Sequence, residues 1–339
     1  MGRTIIFGAT GKLGAYVALY LKERGHDVIA TGRRQSDNGF FKQYNIPYYS
    51  ADIENKDDFH NLPNSGITNV LHFAAVMPAA MKGYIPRIYI KNIIGGTLNI
   101  LEYCRRNNVE RIVYTQSHAD TAHLQGSEEL IPADIIRSFP LTGDHSIYAI
   151  CKNASVDLIE HYHHQYGLKR FILRLPTIYT YTPDPYFYVD GIKKMRAYRL
   201  LIERARKGEV IEIWGDPALK KEIVYIKDFC QIVERATQAD CPGGMYNVGR
   251  GIGVSLEEQI RGIVDVFSPE GQKSKIVYRP DMPNAKVFVH DISKTRDELG
   301  YEPQYDYRKG LEDFKLEMEL NRFEVLWGQP VVPVTEYSH

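Results

Sequence analysis

The sequence predicts an α/β protein, a doubly wound parallel sheet with a smaller, discontinuous C-terminal part. Three observations predict it. Short runs rich in β-branched residues alternate with longer helix-period stretches through the first half of the chain, and that alternation is the mark of a parallel sheet covered on both faces. The first such run stops at a glycine cluster and passes straight into a helical pattern. After Leu175 the alternation gives way to a segment crowded with Pro, Thr and Tyr. A length of 339 residues also exceeds what one hydrophobic core usually serves.

Residues 4–7 read as the first strand, and 12–24 as a helix with Leu13, Val17 and Leu21 on one face. Gly25 is the residue expected to end that helix. Further strands are expected at 28–31, 70–74, 111–115 and 171–175, with helices around 92–107 and 148–166. Residues 176–188 read as irregular structure over a site, followed by helical stretches near 192–207 and 255–266. Two apolar pieces, 223–226 and 245–248, are expected to return to the main sheet. Ligands of such sheets bind at the carboxyl ends of the strands, where crossovers diverge.

Composition excludes several classes. Lys plus Arg (42) balances Asp plus Glu (42), so there is no electrostatic footprint for nucleic acid or an anionic membrane. No apolar stretch approaches a membrane span, and the opening run is too short for a signal peptide. Cys104, Cys151, Cys230 and Cys241 are widely spaced without a CxxC pair, which argues against disulfides or zinc and fits a reducing cytoplasm. His161, His163 and His164 read as a solvated helix face, not as metal ligands.

Gly8, Gly11 and Gly14 follow the first strand with GxxGxxG spacing and open the first helix, together with Thr10, Lys12 and Leu13. Glycine there permits a tight turn and close approach of main-chain N–H groups to a pyrophosphate, and the helix N-terminus adds partial positive charge. The placement points to dinucleotide binding. The second strand runs into Arg33 and Arg34, where an NAD site usually has an acid for the ribose 2′-hydroxyl. Two guanidinium groups suit a 2′-phosphate, which points to NADP over NAD.

Tyr148 and Lys152 form a YxxxK pair, a spacing that places both on one helix face. Phenolate at neutral pH requires a drop of roughly 3 pKa units, about 4 kcal/mol. An ammonium roughly 4 Å away supplies that order of energy at an effective dielectric of about 20. The strand at 111–115 runs on through Gln116 to Ser117, which puts a hydroxyl at a strand's carboxyl end, where it can assist a reacting oxygen.

Taken together, these residues resemble the extended short-chain dehydrogenase/reductase family, in particular its NAD-dependent epimerase/dehydratase branch. The resemblance spans nearly the whole chain. Asp52-Ile53 resembles the pair that contacts adenine, and His72-Phe73-Ala74-Ala75 the strand end along the cofactor. Asn92 matches the helical asparagine that supports the active-site strand. Ser117, Tyr148 and Lys152 stand at the catalytic triad positions, and residues 224–228, 246–249, 291–294 and 299–303 resemble C-terminal landmarks of the nucleotide-sugar members.

The resemblance implies hydride transfer at a sugar carbon with Tyr148 as acid or base. It also implies cofactor contacts from Thr115, Leu175 and Ile178, a nucleotide-sugar substrate facing Met77, Ser117, Thr177, Lys221 and Arg279, and a homodimer built on the helices after Asn92 and Tyr148. On it, 1–175 form the Rossmann-type dinucleotide-binding domain with returning segments at about 222–249. Residues 176–221 and 250–330 form the substrate domain, and 331–339 a tail. Two departures stand out. His118-Ala119 occupy the places where 4,6-dehydratases carry Asp-Glu, so dehydration by that route is not expected. Lys221 replaces a diphosphate-gripping arginine and lacks its bidentate fork. Epimerase and keto-reductase both remain open, as do a reductase of a non-sugar carbonyl and a non-catalytic cofactor sensor.

Overall fold

The computed structural model describes residues 2–77, 85–127, 129–142, 144–189 and 192–329; the expected tail at 331–339 lies outside them. The first half runs β1 (Arg3–Phe7), α1 (Lys12–Glu23), β2 (Val28–Gly32), α2 (Phe40–Gln43), β3 (Tyr48–Ser50) and β4 (Ile67–His72). It continues with α3 (Pro86–Tyr89), a π-helical turn (Ile90–Gly95), α4 (Gly96–Arg106), β5 (Arg111–Ser117), α5 (Asp144–Tyr166) and β6 (Lys169–Leu175). The second half adds β7 (Thr177–Tyr179), β8 (Tyr186–Val189), β9 (Ile192–Met195), α6 (Ala197–Arg206), β10 (Ile211–Trp214), β11 (Lys220–Lys221) and β12 (Ile223–Tyr225). It closes with α7 (Ile226–Gln238), β13 (Gly243–Asn247), β14 (Val254–Ser255), α8 (Leu256–Phe267), β15 (Ile276–Arg279), α9 (Ser293–Leu299), α10 (Tyr307–Leu320) and α11 (Glu324–Trp327).

Seven strands form one parallel sheet in the order β13-β6-β5-β4-β1-β2-β3. Strand alternation sends neighbouring side chains to opposite faces. Ile5 and Phe7 of β1 therefore join Val70, Ile112 and Tyr114 against α4 and α5 residues such as Ile100, Leu101, Val156 and Ile159. Ile6, Leu71, Val113 and Phe171 join Val17 and Leu21 of α1 and Phe229, Ile232 and Val233 of α7 on the other face. Both faces are dry, so each strand reads as a near-continuous apolar run. This is a Rossmann-type sheet, and a smaller C-terminal domain is attached to it.

The structure corrects three expectations. Of the two apolar pieces expected to rejoin the sheet, only the second does, as β13 beside β6. The first, β12, pairs instead with β7, register Val224 to Ile178. The segment expected to be irregular at 176–188 contains β7 and most of β8, and the helix expected from 192 starts only at Ala197, because Ile192–Met195 pairs antiparallel with Tyr186–Val189. The strand β3 has no counterpart in the sequence reading.

Buried acidity marks the junction between the two parts. Glu222 is fully buried between β11 and β12, with its carboxylate accepting from the main-chain N–H of Arg250 (2.9 Å) and of His290 (3.2 Å). Burial outweighs those bonds and lifts its pKa to about 7. The folded state thus holds this proton more tightly than the unfolded chain. Stability from Glu222 is retained below the unfolded value and lost as pH rises through about 7, by up to about 3 kcal/mol. Urea denaturation at pH 5 and pH 8 should show a larger alkaline loss in the wild type than in Glu222→Gln. Equal losses would rule this out.

Candidate functional site

The glycine turn is built for close approach. Gly8 has φ +89°, and a Cβ there would meet the main chain of Ala74 at 2.7 Å; one on Gly14 would meet the Gly8 carbonyl oxygen at 2.2 Å. Only glycine lets β1, β4 and α1 converge here. Gly11 caps α1 without a side-chain bond, and among the described residues the N–H groups of Lys12, Leu13 and Gly14 have no acceptor. Three outward-facing donors at a helix N-terminus fit the phosphates of a dinucleotide. Thr10 lies against Gly32 at the end of β2, where a Cβ would sit 2.7 Å from its hydroxyl oxygen.

The rim of this cradle is fixed by specific bonds. Asn99 Nδ2 donates to the Ile53 carbonyl (2.8 Å), while Glu54 N donates to Asp52 Oδ1 (3.0 Å), which sets the turn carrying Asp52 and Ile53. Asn92 lies on the π-helical turn and reaches two ways. Its Oδ1 accepts from Val76 N (2.7 Å), and its Nδ2 donates to Glu54 (3.0 Å). It therefore holds the half-buried chain after Phe73, Ala74 and Ala75, rather than the end of β5 as the resemblance implies. Arg33 and Arg34 are exposed beyond β2; Arg34 donates to the Leu326 carbonyl (2.5 Å).

Across the sheet, β5 and α5 carry the candidate catalytic residues. Gln116 Nε2 bonds Asn153 Oδ1 (3.1 Å), and Gln116 Oε1 accepts from Ser117 N (2.8 Å), which ties the strand end to the helix. Ser117 Oγ accepts from Ala119 N (3.2 Å) and caps the 3-10 turn His118–Leu124. Thr115 is buried, while Leu175 at the end of the neighbouring β6 and Thr177 and Ile178 of β7 are half-buried. Tyr148 and Lys152 are both buried on α5, at 6% and 2% exposure. Tyr148 packs with Tyr89, Ile93 and Cys151, and its hydroxyl points to Met77 Sδ at 3.6 Å.

The electrostatics differ from the sequence expectation. Lys152 Nζ sits over the Tyr114 ring, 4.1 Å from its centroid, and no bond joins it to the Tyr148 hydroxyl. Burial pushes Tyr148 upward and brings Lys152 down to about 7. The expected lowering of the phenol by the ammonium is thus absent from the protein alone, because burial acts on each group unopposed by the other.

Of the five expected substrate-facing residues, Met77 lies against the Tyr148 hydroxyl, Ser117 ends β5 and Thr177 opens β7. Lys221, on β11, is half-buried with its pKa lowered by desolvation, and among the described residues no carboxylate pairs with it. Arg279 departs from expectation. Its guanidinium is engaged by Asp281 and by Glu212, each at 3.1 Å.

Sequence reasoning misses other features. His118 packs against Phe288 (ring centroids 4.7 Å apart, tilted by 35°) and is pressed down to about 4 by burial and then by Lys221, so it is neutral at pH 7. Asp120 accepts three hydrogen bonds from Arg174 of β6, of 2.9, 3.1 and 3.0 Å, both side chains 1% exposed. Among the described residues there is no helix long and apolar enough to cross a membrane and no cluster suited to a metal ion. The four cysteines are free.

A phosphate cradle at one strand end and a buried tyrosine–lysine helix at another is the layout of an NAD(P)-dependent enzyme of the extended short-chain dehydrogenase/reductase type. A model of the NAD-dependent epimerase/dehydratase family matches residues 4–249, and the chain belongs to that family. The UDP-glucuronate 4-epimerase of Thermodesulfobacterium geofontis is 27% identical over 326 residues, which cover 92% of this chain and 94% of that one. Two solved structures share the fold. The UDP-glucose 4-epimerase of Thermotoga maritima, with UDP-glucose, superposes with TM-score 0.72 at 22% identity over 94% of this chain and 99% of that one. The UDP-glucose 4-epimerase of Thermus thermophilus, in complex with NAD, gives 0.66 at 21% identity over 92% and 98%.

Proposed function

We propose that this protein is a nucleotide-sugar epimerase or keto-reductase that moves a hydride between NADP and a sugar carbon. The observation that carries the reading is that Ser117 ends β5 and is tied through Gln116 to Asn153 on α5, the helix that buries Tyr148 and Lys152, in a sheet whose first helix opens with N–H groups of Lys12, Leu13 and Gly14 that have no acceptor among the described residues. The dinucleotide would lie along residues 8–14, Asp52-Ile53 and 73–75, and when bound it supplies hydride acceptance and donation. Tyr148 takes or returns the proton of the sugar hydroxyl. Ser117 orients that oxygen, and Lys152 holds positive charge beneath the site. His118-Ala119 offer no carboxylate after Ser117, which favours epimerisation or reduction over loss of water. The relatives named as UDP-sugar 4-epimerases support the same substrate class.

Lys221, which has no carboxylate partner among the described residues, suits the substrate diphosphate; Arg279 would have to leave Glu212 and Asp281 to share that role. Residues 1–175 with about 222–249 would carry the dinucleotide, and 176–221 with 250–330 the sugar. The exposed Leu98 of α4 and Ile150 and Tyr166 of α5 suit a helix-on-helix dimer face.

The first test is to denature the purified protein and identify released dinucleotide by mass spectrometry. Stoichiometric retained NADP is expected of an epimerase that recycles its cofactor. An empty protein that turns over keto-sugar nucleotides with NADPH marks the reductase. Retained NAD would overturn the 2′-phosphate reading of Arg33 and Arg34. Failure to bind either dinucleotide would overturn the reading as a whole.

A further inference from the structure

The C-terminal end of the described chain does not hang free of the dinucleotide cradle. After α10 the chain turns at Asn321, in the left-handed region, and residues 323–327 fold back onto the glycine turn. Phe323 and Leu326 are 1% and 2% exposed. Phe323 packs on Tyr16 of α1 (4.5 Å), on Phe40 of α2 (5.6 Å) and on Trp327 (4.5 Å). Three hydrogen bonds then reach the rim of the cradle. Trp327 Nε1 donates to the Thr10 carbonyl (2.9 Å), Arg34 donates to the Leu326 carbonyl (2.5 Å), and Asn38 Nδ2 donates to the Val325 carbonyl (3.1 Å).

These contacts select the two places that meet the adenosine half of a dinucleotide, namely the turn between β1 and α1 and the residues after β2. The Thr10 carbonyl is fixed from outside, which sets the peptide plane preceding Gly11. Tyr48 completes the arrangement from β3, its hydroxyl donating toward the carbonyls of Gly32 (3.1 Å) and Arg34 (2.6 Å). Arg34 is thus held at its carbonyl by Tyr48 and at its guanidinium by Leu326, and its remaining N–H groups stay unbonded among the described residues.

We propose that residues 323–327 are a positioning element of the dinucleotide site, with Trp327 fixing the glycine turn and the Leu326 carbonyl fixing Arg34 for the adenosine ribose. The inference rests on the reading of residues 8–14 as a dinucleotide cradle. By linkage, cofactor binding and docking of this segment strengthen each other.

The sequence supplies its own probe, since the chain has two tryptophans, Trp214 and Trp327. In full-length Trp214→Phe, tryptophan emission comes from Trp327 alone, and titration with 2′,5′-ADP, which has no nicotinamide, should change it saturably. In a second variant, Trp327→Phe keeps a six-membered aromatic ring beside Tyr16 and Phe323 and removes the pyrrole part of the indole together with its N–H. It should bind both NADP and NAD about 3- to 10-fold more weakly by calorimetry, the loss of one hydrogen bond, with an unliganded Tm within two or so degrees of wild type. Wild-type affinity in Trp327→Phe, or emission that ignores 2′,5′-ADP while NADP binds, would overturn the inference and leave the cradle reading standing. Wild-type protein that binds no dinucleotide would overturn both.

Discussion

Tyr148→Phe is expected to lower turnover by about two to four orders of magnitude while dinucleotide affinity stays within about twofold. The structure makes this an unusually clean substitution. Among the described residues the hydroxyl bonds Met77 Sδ at 3.6 Å, a weak acceptor, so its removal strands no strong buried partner among them. The ring is anchored independently by Tyr89, Ile93 and Cys151, and Phe fills the same volume. What is lost is the proton. In the unliganded protein burial holds the phenol protonated and presses Lys152 to about 7, so the lysine's charge is full only below that pH. Productive ionisation of Tyr148 then depends on charge that arrives with the ligands. Steady-state rates on a UDP-sugar, paired with calorimetric dinucleotide titration, check this. Retained turnover would remove Tyr148 from the chemistry and favour a sensor.

Much of this was legible in sequence, and the reasons for success and failure are physical. The central strands could be placed because a sheet buried on both faces demands unbroken apolar runs such as those of β1 and β4. Gly8, Gly11 and Gly14 could be placed because the convergence of β1, β4 and α1 tolerates no Cβ at Gly8 or Gly14. Tyr148 and Lys152 share a helix, so their spacing alone brings them near one another.

Pairing partners are another matter. Ile223–Tyr225 announces a strand by composition, yet nothing local says that it will choose β7 over the main sheet. The run at 192–195 has no helix breaker, so the antiparallel partner that captures it lies outside any local window. The same limit hides the tertiary ties. Asp120 and Arg174 are 54 positions apart, and Trp327 and Thr10 are 317 apart. The charge state of the tyrosine–lysine pair was misjudged for a related reason, because spacing gives proximity but not burial.

The Asp120–Arg174 pair yields the second large effect. Asp120→Ala is expected to cost about 3–5 kcal/mol of folding stability, because it leaves a guanidinium 1% exposed without its counter-charge. Arg174 would keep neutral acceptors among the described residues, the carbonyls of Ala133 (2.9 Å) and Pro132 (3.4 Å) and Asn247 Oδ1 (3.0 Å). Those partners show what the pair does. Arg174 sits on β6, Asn247 ends β13, and Asp120 lies three residues past Ser117, so one guanidinium ties two strand ends to the turn that carries the candidate catalytic hydroxyl. Loosening it should therefore also lower kcat through Ser117 while the glycine turn, held by other contacts, keeps its dinucleotide affinity. Removing both charges in Asp120→Leu/Arg174→Met should restore part of the stability, since the main penalty is the unpaired ion. Restored stability would not restore Ser117's position, so the double variant is expected to regain its urea midpoint without regaining its rate. A single variant as stable as the wild type would show that the pair contributes nothing to the fold.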